Sequence, residues 1–391
     1  MPLTNFRFFM TTALLAAVGS GCVGAVQATA AHGGAHGTAP AARVVAAAKP
    51  KPAPIDVLSA SFASASAGYL LAEPRCASLA DPCKTTVLLR RTVDGGRTWS
   101  AVPGPAAPPV NMFRPSTAAN AVGRILFTSL RDGFAYGPGL WRTADGGASW
   151  HQVRVPGRVA QFAVSGHRMV AVVGGCGSAR ECAFRVYSAT VGEDIWRPLT
   201  GAAATGSGAS FAVAGPNGYL LITGADVGRP RLLAGPVTGP ARWRALPVPC
   251  QFAWSAAIAA ARGALFLGCG SEPGAGNQGK TAYVSSDGGR TWRKVASPPD
   301  GGYLAGATMT LGGTIFLSGG RMDVYISRDR GRSWHESPSL ANAAGEANAG
   351  LTLAGTAVTD MFGVVIQEGV FTQQVWLTRD GGRTWTPVTI R

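Results

Sequence analysis

The chain has 391 residues, a net charge of +15, and only 14% Asp, Glu, Lys and Arg, against 54 Gly and 26 Pro. Low charge with many turn formers points to a β-rich protein with numerous short loops and argues against a helical plan. The positive excess is arginine scattered across turns, with no basic cluster interleaved with stacking aromatics, which argues against a nucleic-acid partner.

Residues 1–30 read as an export signal, with Arg7 as the positive start, Phe8 to Val18 as the apolar stretch and Ala28-Thr29-Ala30 as the small-residue cleavage site. A competing lipoprotein reading places processing at Cys22, after Gly19-Ser20-Gly21, and would supply a lipid anchor. Cleavage after Ala30 is favoured, because Gly19 stands where lipoprotein sites usually carry an aliphatic side chain. The apolar stretch is too short and glycine-interrupted for a membrane span. Residues 31–54 form an Ala/Gly/Pro linker ending Lys49-Pro50-Lys51-Pro52-Ala53-Pro54, in which His32 and His36 read as solvated rather than metal-binding.

From residue 55 onward the dominant signal is repetition. Five octapeptides share the pattern Ser/Thr-x-Asp-x-Gly-x-Ser/Thr-Trp: Thr92–Trp99, Thr143–Trp150, Ser285–Trp292, Ser327–Trp334 and Thr378–Trp385. Their shared acids are Asp94, Asp145, Asp287, Asp329 and Asp380. The long gap between Trp150 and Trp292 hides two degenerate copies, Ser188–Trp196 and Thr238–Trp243. Tryptophans then recur every 42 to 51 residues and tile residues 55–391 into seven units. The second unit shows four candidate strands, 124–129, 133–137, 140–143 and 149–153. Four strands at this period predict an all-β, seven-bladed β-propeller with the octapeptide as the turn between the third and fourth strands.

The residue types suit a turn. Asp accepts backbone N–H bonds, the Gly two positions on tolerates a positive φ, and Trp buries apolar area between blades. These roles are structural, not catalytic. Six cysteines follow the export segment, and proximity favours Cys76–Cys83, Cys176–Cys182 and Cys250–Cys269 as disulfides. No CxxC pair suggests zinc.

Over residues 55–391 the chain resembles the Asp-box, or BNR-repeat, propellers, and within them it is most similar to the seven-bladed photosystem II assembly and stability factor type. The segment Ile125–Gly137, followed by Trp141-Arg-Thr143-Ala-Asp145-Gly-Gly147, carries that likeness. The resemblance implies a propeller and a protein-binding role but not photosynthesis, and the disulfides and degenerate third and fourth boxes depart from the group.

The favoured function is a monomeric, non-enzymatic binding scaffold at the cell envelope or exterior, needing no cofactor. Its partner is a protein or envelope polysaccharide, met through the face opposite the boxes, where strand 2–3 loops and blade connections lie. The loops 103–123, 269–280 and 336–350 supply the polar candidates Arg114, Glu272 and Glu346, joined by Arg75 and Arg321. The alternative is a sialidase-like or other propeller glycoside hydrolase. Phe113-Arg114-Pro115 is similar to the sialidase Phe-Arg-Ile-Pro motif but lacks the Ile, and Tyr303 with Glu346 would be the nucleophile pair. No arginine triad is matched, and sialidases have six blades. No Gly-x-Ser-x-Gly elbow suggests a serine hydrolase.

Overall fold

The computed structural model describes residues 55–75, 86–110, 116, 118–178, 181–224, 228–319, 324–337, 350–352, 359–368 and 373–390. Blade 1 contains β1 (Ile55–Phe62), β2 (Gly68–Pro74), β3 (Leu88–Thr92) and β4 (Ser100–Val102). Blade 2 contains β5 (Arg124–Phe127), β6 (Gly133–Tyr136), β7 (Leu140–Thr143) and β8 (His151–Gln152). Its outer strand is shorter than the sequence suggests, because the turn and the connection leading out of the blade claim its ends. Blade 3 is longer: β9 (Val159–Ser165), β10 (Arg168–Ser178), β11 (Glu181–Thr190) and β12 (Arg197–Gly206). Blade 4 runs β13 (Gly208–Ala214), β14 (Asn217–Thr223), β15 (Arg231–Pro236) and β16 (Arg244–Leu246).

Blade 5 is β17 (Ser255–Ala261), β18 (Ala264–Gly274), β19 (Asn277–Ser285) and β20 (Arg293–Lys294). Blade 6 is β21 (Leu304–Met309), β22 (Ile315–Gly319), β23 (Val324–Ser327) and β24 (His335–Glu336). Blade 7 is β25 (Gly350–Thr352), β26 (Gly363–Glu368), β27 (Gln373–Thr378) and β28 (Thr386–Pro387). Every blade is an antiparallel meander of four consecutive strands, and the seven sheets make a seven-bladed β-propeller.

The second strand of a blade is covered on both sides by neighbouring blades. It therefore reads as an apolar run and not as a strict alternation. Tyr69–Ala72 in β2, Tyr219–Ile222 in β14 and Leu265–Leu267 in β18 are all buried. Between blades, Phe134 and Leu140 pack on Phe162 and Met169, and Val170 and Phe184 on Leu220 and Trp243. Leu221 and Leu232 meet Ile258 and Leu267, while Phe266 meets Ile315 and Tyr325. Each blade is one continuous stretch of chain, so no strand is shared where blade 7 meets blade 1. That seam closes by packing Val57, Phe62 and Leu70 against Phe362, Val364 and Leu377.

A meander puts the 1–2 and 3–4 turns on one face and the 2–3 hairpins and blade connections on the other. We call these the turn face and the connection face. The described residues of segment 103–123 lie on the latter, where Val110 N donates to Val122 O (3.0 Å) within the segment and Trp141 Nε1 of blade 2 donates to Asn120 O (3.0 Å). Segment 269–280, expected as a loop, is mostly strand: β18 and β19 pair as far as Gly274 and Asn277.

Candidate functional site

The five octapeptides occupy the turns between third and fourth strands, and their hydrogen bonds repeat. In blade 1 the Thr92 hydroxyl donates to Asp94 Oδ1 (2.8 Å) and accepts from Gly96 N (2.8 Å). Asp94 Oδ1 also accepts from the N–H groups of Arg97 (3.0 Å) and Thr98 (2.9 Å), and Oδ2 accepts from the Thr98 hydroxyl (2.6 Å). Bonds from Thr98 and Thr92 hold the Asp94 carboxyl well below the usual carboxylate range. Asp287 is held low in the same way by Thr291 and Ser285, and Asp145 falls to about 2 through Ser149 and Thr143. At Asp329 and Asp380 burial pushes the pKa upward, but the turn bonds outweigh it and leave both at about 2. A carboxylate committed to turn donors and fixed in its anionic form is a poor general acid.

The turn tryptophans link blades. Trp150 Nε1 donates to Pro103 O (3.1 Å), Trp292 to Pro247 O (2.9 Å) and Trp334 to Ala296 O (2.8 Å), each acceptor in the preceding blade's tail. Trp385 donates to the Ser337 hydroxyl in the same sense. At the seam Trp99 bonds its own Gly96 O (3.2 Å), and the Arg379 guanidinium crosses from blade 7 to Gly95 O instead. In blade 4 Trp243 is buried at 2% exposure against Gly218 and Gly235 of its own sheet. Trp196 packs in the core between blades 2 and 3.

The two faces differ in what they expose. Eight large hydrophobic side chains are exposed among the described residues. The five aliphatic ones, Val93, Leu130, Ile195, Leu311 and Met361, are spread around the turn face. The three aromatic ones, Phe252 (70%), Trp254 (54%) and Tyr303 (42%), all lie on the two connections that flank blade 5 on the other face. Water-exposed aromatics gathered on one rim are characteristic of recognition surfaces.

Both connections are pinned. The one carrying Phe252 and Trp254 is held by the Cys250–Cys269 disulfide, by Ala253 N–Gly228 O (3.1 Å) and by Trp254 N–Gly270 O (2.9 Å). The one carrying Tyr303 is held by Lys280, buried at 3% exposure. Its ammonium donates to the carbonyls of Gln278 (3.1 Å), Pro299 (3.0 Å), Gly301 (2.7 Å) and Gly302 (3.0 Å) and lies 5.3 Å from the Tyr325 ring centroid. Burying an ammonium is costly without such compensation. Buried Gln278 joins the two connections: its Oε1 accepts from Ser255 Oγ (3.1 Å) and Leu304 N (2.7 Å). Those residues directly follow Trp254 and Tyr303, so one amide oxygen ties together the strand starts that carry the two aromatics.

Of the polar candidates, Glu272 is exposed on the β18–β19 hairpin of blade 5, on the same face as the aromatics. Arg75 is committed to Asp56, Nε to Oδ1 at 2.8 Å, tying the end of β2 to the start of β1. Arg114, Arg321 and Glu346 lie outside the described residues, as do Cys76, Cys83 and residues 1–54. Cys176 and Cys182 are disulfide-bonded directly across β10 and β11. Among the described residues no group of three His, Cys, Asp or Glu side chains is placed to hold a metal, and no helix is long and apolar enough to cross a membrane. Sequence reasoning missed Phe252 and Trp254. The signal available was a pair of aromatics in a blade connection beside Cys250, where a core role has no strand to serve it.

No family model matches the chain, and no curated protein matches it. Among solved structures it is similar to YCF48 bound to D1 peptide, with TM-score 0.50 and 16% identity over 85% of this chain and 92% of that one. It is likewise similar to YCF48 from Cyanidioschyzon merolae, with TM-score 0.50 and 16% identity over 86% of this chain and 98% of that one. What the chain shares with these photosystem II assembly factor propellers is the seven-bladed fold.

Proposed function

We propose that this chain is an exported, non-enzymatic scaffold of the Asp-box propeller type. It takes a peptide segment of a protein partner on the connection face, at Phe252, Trp254 and Tyr303 beside Glu272. The observation that carries this reading is the pinned aromatic trio. A surface already held by a disulfide, a caged lysine and a shared amide loses little freedom on binding, so its contact energy reaches the affinity. A related fold bound to a peptide supports the partner class, and two disulfides support an oxidising compartment at the envelope or exterior. The five turn carboxylates are consumed by their turns, which supports a scaffold over an acid–base enzyme.

The test is to pan a displayed random-peptide library on the purified protein and measure selected peptides by calorimetry. Enrichment of peptides that bind wild type and lose about 30-fold or more with Trp254→Ala is expected, the loss typical of an interface anchor. Selection that yields no binder, or binders indifferent to Trp254→Ala, contradicts the proposal. Stacking aromatics also suit sugars, so a glycan array run in parallel would redirect the partner class if it alone gave Trp254-dependent binding.

A further inference from the structure

On the turn face a cavity of about 680 Å³ opens between blades 5 and 6. Its wall includes Arg262, Arg293, Arg330 and Arg332, with Trp292 and Leu311 as apolar surface, and no acidic residue lines it. None of the four guanidiniums makes a hydrogen bond or ion pair with another described residue. The nearest turn acids are occupied: Asp287 by Ser285, Arg290 and Thr291, Asp329 by Ser327 and Ser333, and Asp360 by the Thr310 hydroxyl of the cavity wall.

Two departures from the repeat bring these arginines here. In four turns the position after the shared Asp is glycine at positive φ: Gly95 (72°), Gly146 (75°), Gly288 (72°) and Gly381 (70°). Blade 6 places Arg330 there, at φ 60°. A side chain in this left-handed region is strained, and glycine would remove the strain. Arg262, in the 1–2 turn of blade 5, is also left-handed at φ 45°. Only three described non-glycine residues have positive φ, and two of them are arginines on this one cavity. The second departure concerns Arg332. Its counterparts Arg97, Arg290 and Arg383 each donate Nη1 to the carbonyl of their own turn Asp, at 3.1, 2.9 and 3.1 Å. Arg332 makes no such bond, which leaves its guanidinium to the cavity.

We infer that this cavity is a binding site for a compact, multiply charged oxyanion, with phosphate or carboxylate groups bridging the guanidiniums. Backbone strain held at a position where the repeat itself offers a strain-free residue marks a site kept for a ligand. Guanidinium forks match the planar or tetrahedral oxygens of such groups. The volume suits a small molecule. The site is independent of the connection-face aromatics.

The experiment titrates inorganic pyrophosphate and citrate, in separate arms, into the full protein at low ionic strength, then repeats the measurement with Arg330→Gly and Arg332→Ala. Saturable binding of at least one probe in the submillimolar range is expected, weakened about tenfold or more by either substitution and by added salt. Arg330→Gly should meanwhile raise the Tm by about 2 °C as the strain is relieved. The stronger arm assigns phosphate or carboxylate chemistry. Arg131→Ala, on the turn face of blade 2, should bind as wild type does. Absence of saturable binding by either probe, or equal affinity in Arg330→Gly, overturns the site.

Discussion

Blades 3 and 4 keep the propeller without the turn that organises the other five. In the full turns a threonine or serine hydroxyl and an aspartate carboxylate close the hairpin among themselves. In blade 3 the equivalent hydroxyl, Ser188, serves another purpose. It accepts from Arg168 Nη2 (2.7 Å) and donates to Val237 O of blade 4 (2.7 Å), so a turn residue has become a link between blades. The hairpin is held instead by longer strands, with β10, β11 and β12 of 11, 10 and 10 residues where β8 has two. Blade 4 substitutes a buried tryptophan. The octapeptide is thus one of several interchangeable ways to fasten the outer strand.

The two kinds of blade should differ most at their tryptophans. Trp243→Ala should destabilise the protein by about 3–5 kcal/mol, the usual cost of emptying a buried aromatic site. The half-exposed Trp150 should cost about half as much when changed to alanine. Urea denaturation of both variants measures the difference.

Glycines give the next largest contrast. At Gly382 (φ 81°) a β-carbon would fall 1.9 Å from Ile326 Cδ1, so Gly382→Ala should cost about 3 kcal/mol from strain and overpacking together. Gly192 in the degenerate turn has φ 94° but meets only Arg142 Nη1 at 3.7 Å. There the same change should cost about 1 kcal/mol. Equal losses would mean that the two kinds of turn are equally packed.

Acid should separate the blades more gently. The turn aspartates have folded pKa values below their unfolded values, so their stabilisation is complete above about pH 4. It is lost as pH falls through the folded values, about 2 at Asp145, Asp329 and Asp380. Hydrogen exchange between pH 4 and pH 2 should show amides such as Gly147 and Ser149 losing protection before those of β10 and β11. Simultaneous loss would contradict the division.

The fold was legible because its signal is periodic. Seven tryptophans at one spacing locate seven hairpins even where Asp and Gly have gone, since Trp196 and Trp243 still anchor the outer strand of their blades. The connection-face site was less legible. Glu272 was visible as a polar residue on a hairpin, but the aromatics beside it depend on burial, and no local pattern says that Trp254 is exposed while Trp243 is not. The part played by Gln278 and Lys280 was hidden for the same reason: they act through distant backbone, at Leu304 and Gly301, beyond any spacing rule. The arginine cavity was nearer the surface of the sequence, because Arg330 breaks a glycine position that four other turns keep.

The smallest expected stability change belongs to Trp254→Ala, about 0.5 kcal/mol or less, since more than half of the side chain stands in water. That makes it the sharpest probe of the split between faces. A library-selected peptide should be titrated by calorimetry into wild type, Trp254→Ala and Leu311→Ala, the last being an exposed apolar residue on the turn face. Trp254→Ala should weaken the peptide about 30-fold at unchanged Tm, while Leu311→Ala should bind as wild type does. Equal affinity across all three, or a loss confined to Leu311→Ala, would contradict the split.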